Sequence, residues 1–197
     1  IQKLYSFFYS FNIPHEKTAK VWYNRKDEAY VTLLTGSDKN YMLGASVLLE
    51  SIYSNDKTRD IICMTTPNVD QTLFQTYIYK DYVKQLRVEK IPEFWWDTCK
   101  YSRTKNKEQR WGSMMTKFHL WNLDYKRVLY LDTDTLLLKS MDDIPLNEYL
   151  LMAQPGLNHD YFNAGVMVLK PDKKVFNDLM NYRTKSHPNL YNHIIDC

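Results

Sequence analysis

The chain has 197 residues, 44% hydrophobic, 15% aromatic and 25% charged, with 26 basic against 23 acidic side chains and a net charge of +3. That length suits one domain with a substantial core. So even a balance argues against bulk electrostatic binding of nucleic acid or of a membrane surface, and no stretch is apolar and long enough to span a bilayer. Sixteen Tyr and five Trp suit core packing and stacking on sugars or bases alike. The three cysteines are odd in number and lack metal-type spacing. Cys63, inside "IICM", reads as a buried core thiol. This usage leans toward a reducing, cytoplasmic compartment. A secretory-pathway lumen stays open, because the chain starts at Ile1 rather than Met.

Residues 1–28 are polar and weakly periodic and read as an N-terminal extension, with the aromatic "LYSFFYSF" (4–11) as a packing segment. Residues 29–197 read as one domain. "AYVTLLT" (29–35) is a strand, ended by the turn chemistry of "GSDKN". Tyr41, Ala45, Leu48 and Ile52 recur at helical spacing and predict an amphipathic helix over 40–54. "RDIICMTTP" (59–67) is a second buried strand; a helix over 69–80 and a strand near 83–89 follow. Residues 91–111 carry Pro92, many charges and Trp95, Trp96 and Trp111, and read as a long loop or lid. Its basic residues, Lys100, Arg103, Lys105, Lys107 and Arg110, read as a solvated face, so nucleic acid is not expected as a partner. Ser113 is expected to cap a helix over 114–122 with Met114, Phe118 and Trp121 on one face.

"RVLYLD" (127–132) is the third clear strand, and Leu136–Leu138 resume as another. Two more are expected at 149–154 and 162–170. Asp172 then caps a last helix with Val175, Phe176, Leu179 and Met180 inward. Strands alternating with helices indicate an α/β sandwich with a largely parallel sheet. Ligands in such sheets bind outside the carboxyl ends of strands, which directs attention to 33–38, 132–134 and 162–165.

Asp132 and Asp134 stand at one of those ends. In an extended chain residues i and i+2 face one side, about 6.6 Å apart at Cα, so both carboxylates could meet on one hard cation while Thr133 points into the fold. Mg²⁺, and similarly Mn²⁺, takes one or two carboxylates together with substrate phosphates. An Asx-type turn explains the same residues without any ligand. Position alone leaves the two readings about even.

Four strings in order, "YVTLLTGSDKNYMLGASVLLESI" (30–52), "CMTTPNV" (63–69), "MMTKFHLWNLDYKRVLYLDTDTLLLKSMDDI" (114–144) and "FNAGVMVLKP" (162–171), resemble the glycogenin-like glycosyltransferases. These are family 8 retaining enzymes with a GT-A fold. The resemblance implies a Rossmann-like nucleotide-sugar-binding sandwich with a mostly parallel mixed sheet, incomplete at its C-terminus. It implies transfer of a hexose from a UDP-sugar, with Mn²⁺ (or Mg²⁺) on Asp132 and Asp134. It places Leu33, Thr35 and Tyr41 at the nucleotide, and Lys117 and Arg110 at the donor phosphates or sugar, with Arg103 competing for the arginine's place. Asn163 and Ala164 fall at the transferred sugar, Lys117 and Asn163 being the catalytic candidates. The family's third metal ligand, a histidine of a His-x-x-Gly-x-x-Lys segment, would lie past Cys197; His187 and His193 come too early, and His119 reads as a packed or surface residue. The acceptor, saccharide or protein, is not specified, and a homodimer is compatible with the family. The alternative is a non-catalytic nucleotide-sugar or carbohydrate binding module.

Overall fold

The computed structural model describes residues 25–91, 114–144, 150–153 and 163–184. The expected lid and its basic residues, Arg103 and Arg110 included, lie outside them, as does Ser113. Strands β1 (Glu28–Leu34), β2 (Asp60–Thr65) and β4 (Arg127–Leu131) are apolar runs buried along almost their whole length, the pattern of strands covered on both faces. With β3 (Val83–Arg87), β5 (Leu150–Ala153) and β6 (Asn163–Leu169) they form one sheet in the order β3-β2-β1-β4-β6-β5. The first four are parallel, and β6 runs antiparallel to both β4 and β5. The expected mostly parallel mixed sheet is what forms.

Alternation along the strands feeds two cores. Tyr30, Leu34, Cys63, Leu129 and Leu131 pack with Met42, Ala45, Leu48, Leu49 and Ile52 of helix α1 (Lys39–Asn55) and with Phe74 of α2 (Gln71–Tyr77). Val31, Leu33, Met64, Val128 and Tyr130 pack on the other face with Leu120 and Leu123, from a 3-10 helix (Met114–Asn122) and its end. Helix α3 (Lys173–Thr184) adjoins that 3-10 helix, the His119 and Phe176 rings lying 5.6 Å apart. Asp38, Asp70 and Asp172 each accept backbone N–H groups at a helix start, satisfying donors that a helix leaves open there. Cys63 is fully buried, and burial pushes its thiol up to about 12, the state of an inert core residue.

Three expectations fail. Leu136–Leu138 form no strand. The Leu137 N–H donates to Ser51 Oγ at 3.0 Å and its carbonyl accepts from Asn55 Nδ2 at 2.9 Å, so α1 takes the bonds a ladder would need. Leu136 and Leu138 point outward. The 114–122 segment is a 3-10 rather than an α-helix, and its buried residues are Thr116 and Leu120, with Met114 exposed. A three-residue turn aligns i with i+3 and rotates a different line inward. In α3, Val175 is exposed while Phe176, Leu179 and Met180 are partly covered.

The amino ends of the strands are tied by charge. Arg59, with a fully buried side chain, donates to Glu28 and Asp142, both at 2.7 Å, and to Asp56. Arg127 shares Glu28 at 2.5 Å. Among the described residues no helix is long and apolar enough to cross a membrane.

Candidate functional site at the carboxyl edge of the sheet

The opposite edge is where the chain collects unusual polar groups. The strand order makes β1 the point from which the sheet grows both ways, the place where open α/β sheets leave a ligand crevice. The β1–β4 ladder ends at Val31↔Tyr130, so Thr32, Leu33 and Leu34 run on beyond β4's pairing while Asp132–Thr135 turns away. Because β6 is antiparallel, its start arrives at the same edge: the Asp132 N–H donates to the Gly165 carbonyl at 2.8 Å.

Asp132–Thr135 is a turn, closed by the Thr135 N–H at 3.1 Å and the Thr135 hydroxyl at 2.7 Å, both donating to the Asp132 carbonyl. The extended i, i+2 geometry expected for the two aspartates is therefore absent. The turn buries Thr133, as expected, and leaves Asp134 exposed. Helix α1 presses against it. A Cβ on Gly44 would lie 2.7 Å from the Thr133 carbonyl oxygen, so only glycine allows this approach.

Asp132 is held from the other face. Tyr130, two residues back on β4, donates its hydroxyl to Asp132 Oδ1 at 2.5 Å. Burial, then the carboxylates of Asp132 and Asp134, push the Tyr130 phenol well above its usual range, so it stays a donor. Lys117 Nζ lies 2.8 Å from Asp132 Oδ1, 3.1 Å from Oδ2 and 3.1 Å from the Ala164 carbonyl. The same ammonium sits 4.9 Å over the Tyr130 ring. Its side chain is only 13% exposed, which settles whether Lys117 is a free surface lysine. In the 3-10 helix Lys117 and the buried Leu120 are three apart and share a face, and that aims the lysine at the sheet.

The other expected residues divide. Ala164 joins the cluster through its carbonyl. Asn163 stands beside it, its Oδ1 accepting the Gly165 N–H at 2.7 Å. Thr35 follows β1, its carbonyl taking the Asn68 amide at 2.8 Å. Tyr41 opens α1 and is 54% exposed. Leu33 lies at the edge but its side chain is core, packed beneath the site. His119 is packed on Phe176, with Nε2 at 2.8 Å from the Glu89 carbonyl, and is no ligand of this cluster. Sequence reasoning missed Tyr130, Gly44 and Gly165. A Cβ on Gly165 would meet Asn163 Oδ1 at 2.8 Å and Asp132 Oδ2 at 3.2 Å. A glycine inside a helical or strand pattern is the one available signal for such close approaches.

A divalent cation fits the donor set only in part. Asp132 offers two hard oxygens already arranged around one positive charge, the Lys117 ammonium, and the exposed Asp134 adds a second carboxylate. Among the described residues no group of three His, Cys, Asp or Glu side chains is close enough to hold a metal alone. Two carboxylates completed by ligand phosphates is the way Mg²⁺-type ions commonly bind.

The sequence matches the family described as Glycosyl transferase family 8 over residues 32–187. It is 33% identical to inositol phosphorylceramide glucuronosyltransferase 1 of Arabidopsis thaliana over 159 residues, 77% of this chain and 26% of that protein. It is 31% identical to glycogenin-1 of Homo sapiens over 163 residues, 79% of this chain and 43% of that protein. The chain thus spans less than half the length of these relatives. Among solved structures, the galactosyltransferase LgtC with donor and acceptor sugar analogues superposes with a TM-score of 0.55 at 18% identity, covering 78% of this chain and 61% of that one. GlyE of Streptococcus pneumoniae gives the same score at 16% identity over 82% of this chain and 39% of that one. At these identities the structures speak for a shared fold.

Proposed function

The chain belongs to glycosyltransferase family 8, and from that premise we propose that it binds a UDP-sugar at the carboxyl edge and transfers its hexose with retention of configuration. The observation that carries this reading is the Asp132–Lys117–Ala164 cluster, which joins three separate elements at the crevice. A largely covered ammonium held between a half-exposed carboxylate and a backbone carbonyl costs desolvation that a surface ion pair returns only weakly, and its place at a ligand-binding edge supports a functional use.

Each residue then has a task. Asp132 and Asp134 hold a divalent cation, Mn²⁺ or Mg²⁺, against the donor diphosphate. When bound, that cation stabilises negative charge on the leaving UDP. Lys117 supplies a second positive charge to the phosphates or the departing oxygen. Asn163 and Ala164 border the hexose, while Thr35, Tyr41 and the backbone at Leu33 border the nucleotide. Arg110 is a further candidate for the phosphates. The pairing of Asp132 with a lysine suits charge neutralisation better than glycoside hydrolysis, which needs one carboxyl able to give up a proton.

A panel of UDP-hexoses and UDP-hexuronates, incubated with the full-length protein and Mn²⁺, tests this. Transfer or slow donor hydrolysis is expected with one donor class and is lost in Asp132→Ala and Asp134→Ala. Equal rates in both variants would refute the assignment of the two aspartates. Donor binding without turnover would favour a nucleotide-sugar binding module.

A further inference from the structure

Resting on that reading, we propose that Lys117 and the divalent cation compete for Asp132, so that the metal binds weakly alone and tightly only with a diphosphate that draws the lysine away. The ammonium has three N–H donors, and three acceptors stand within bonding distance: both oxygens of Asp132 and the Ala164 carbonyl. A metal ligated by Asp132 needs an oxygen that Lys117 now holds. It would also stand against a positive charge in a partly buried place, where like charges repel more strongly than in water.

Movement has a direction. Asp132 is fixed by its own N–H to Gly165, by the Tyr130 hydroxyl and by the turn behind it. The Gly165 backbone closes on its Oδ2 side. Among the described partners of Asp132, Lys117 is the one attached by a flexible four-carbon stem. A diphosphate offers that ammonium new anionic oxygens in exchange for the carboxylate it leaves. Metal and nucleotide therefore strengthen each other's binding, and by thermodynamic linkage the factor is the same in both directions. The protein would avoid loading metal without donor.

Mn²⁺ binding followed by electron paramagnetic resonance, with and without UDP, tests the exchange on the wild type, Lys117→Gln and Lys117→Arg. Lys117→Gln is expected to bind Mn²⁺ alone about tenfold tighter, as removal of an adjacent like charge predicts, and to lose most of the gain that UDP confers. Lys117→Arg keeps the charge and is expected to bind Mn²⁺ alone as weakly as the wild type. If Lys117→Gln binds Mn²⁺ alone no tighter, the competition is refuted. Should that variant not fold, the wild type decides through the Lys117 ε-methylene resonance in a Mg²⁺ titration. It is expected to stay in place with sub-saturating Mg²⁺ and to shift on addition of UDP, and no shift would overturn the proposal. Asp132→Asn separates the two levels: retained Mn²⁺·UDP binding there removes the functional reading itself, whereas lost binding leaves it standing whatever Lys117 does.

Discussion

Tyr130 is the residue on which the site's precision depends. Its hydroxyl fixes one Asp132 oxygen at 2.5 Å, and its ring lies under the Lys117 ammonium. Tyr130→Phe keeps the ring and removes the donor. A hydrogen bond to a charged group contributes about 1.5–3 kcal/mol, so a looser Asp132 should weaken Mn²⁺·UDP binding by about tenfold, ~1.4 kcal/mol. The thermal midpoint should fall by only a few degrees, at about 2–4 °C per kcal/mol for a chain of this size, because the apolar burial is retained. Binding titrations beside a melting curve check both; unchanged affinity would make the tyrosine mere packing. Asp132 and Lys117 were legible because a carboxylate at a strand end and a family motif coincide. Tyr130 was not, since an apolar run gives no sign of which hydroxyl reaches past its end. Nor was the turn at 132–135, because Asp-Thr-Asp-Thr fits extended and turned backbone equally.

At the scale of elements, the site is a turn pinched between layers: α1 on one face, the 3-10 helix on the other. Gly44 is where α1 touches it. Alanine in a helix interior normally stabilises by about 1 kcal/mol over glycine. Here the added Cβ would meet a backbone carbonyl at 2.7 Å, which no side-chain rotation relieves. Gly44→Ala should therefore lower the melting temperature and weaken donor binding together, and a rise in stability would contradict the contact. Strands and helices of the first half were legible from their period, because burial on both faces produces unbroken apolar runs. Leu136–Leu138 misled for the same reason: the run is apolar, yet Ser51 and Asn55 hold its backbone, a tertiary bond invisible in local pattern. The 3-10 geometry of 114–122 was equally hidden, and with it the reason Lys117 turns inward.

At the scale of the whole sheet the described residues separate their charges, with a structural hub at the amino edge and the proposed donor site at the carboxyl edge. Burial alone would raise Asp56, but Thr58 and Arg59 overcome it and hold the carboxyl below the usual carboxylate range. Asp142 is lowered against burial by Arg59, and Asp60 by Lys84, Tyr125 and Lys26. Depressed carboxyls contribute stability that is complete above the unfolded value and is lost as pH falls through the folded one. The melting temperature should therefore drop below about pH 4. Arg59→Met strands the buried Asp56 without its cation and leaves Glu28 to Arg127 and Asp142 to Arg25, and should cost about 3–5 kcal/mol. It should also flatten that acid dependence; an unchanged pH profile would contradict the hub. Among the described residues no hydrogen bond or ion pair joins this hub to the carboxyl edge, and the central claim rests on Asp132 and Asp134. Its most direct test is a calorimetric titration of UDP into the wild type and Asp132→Asn, with Mn²⁺ and with EDTA. The account predicts UDP binding that requires Mn²⁺ and disappears in the variant, and equal binding in EDTA or in Asp132→Asn would contradict it.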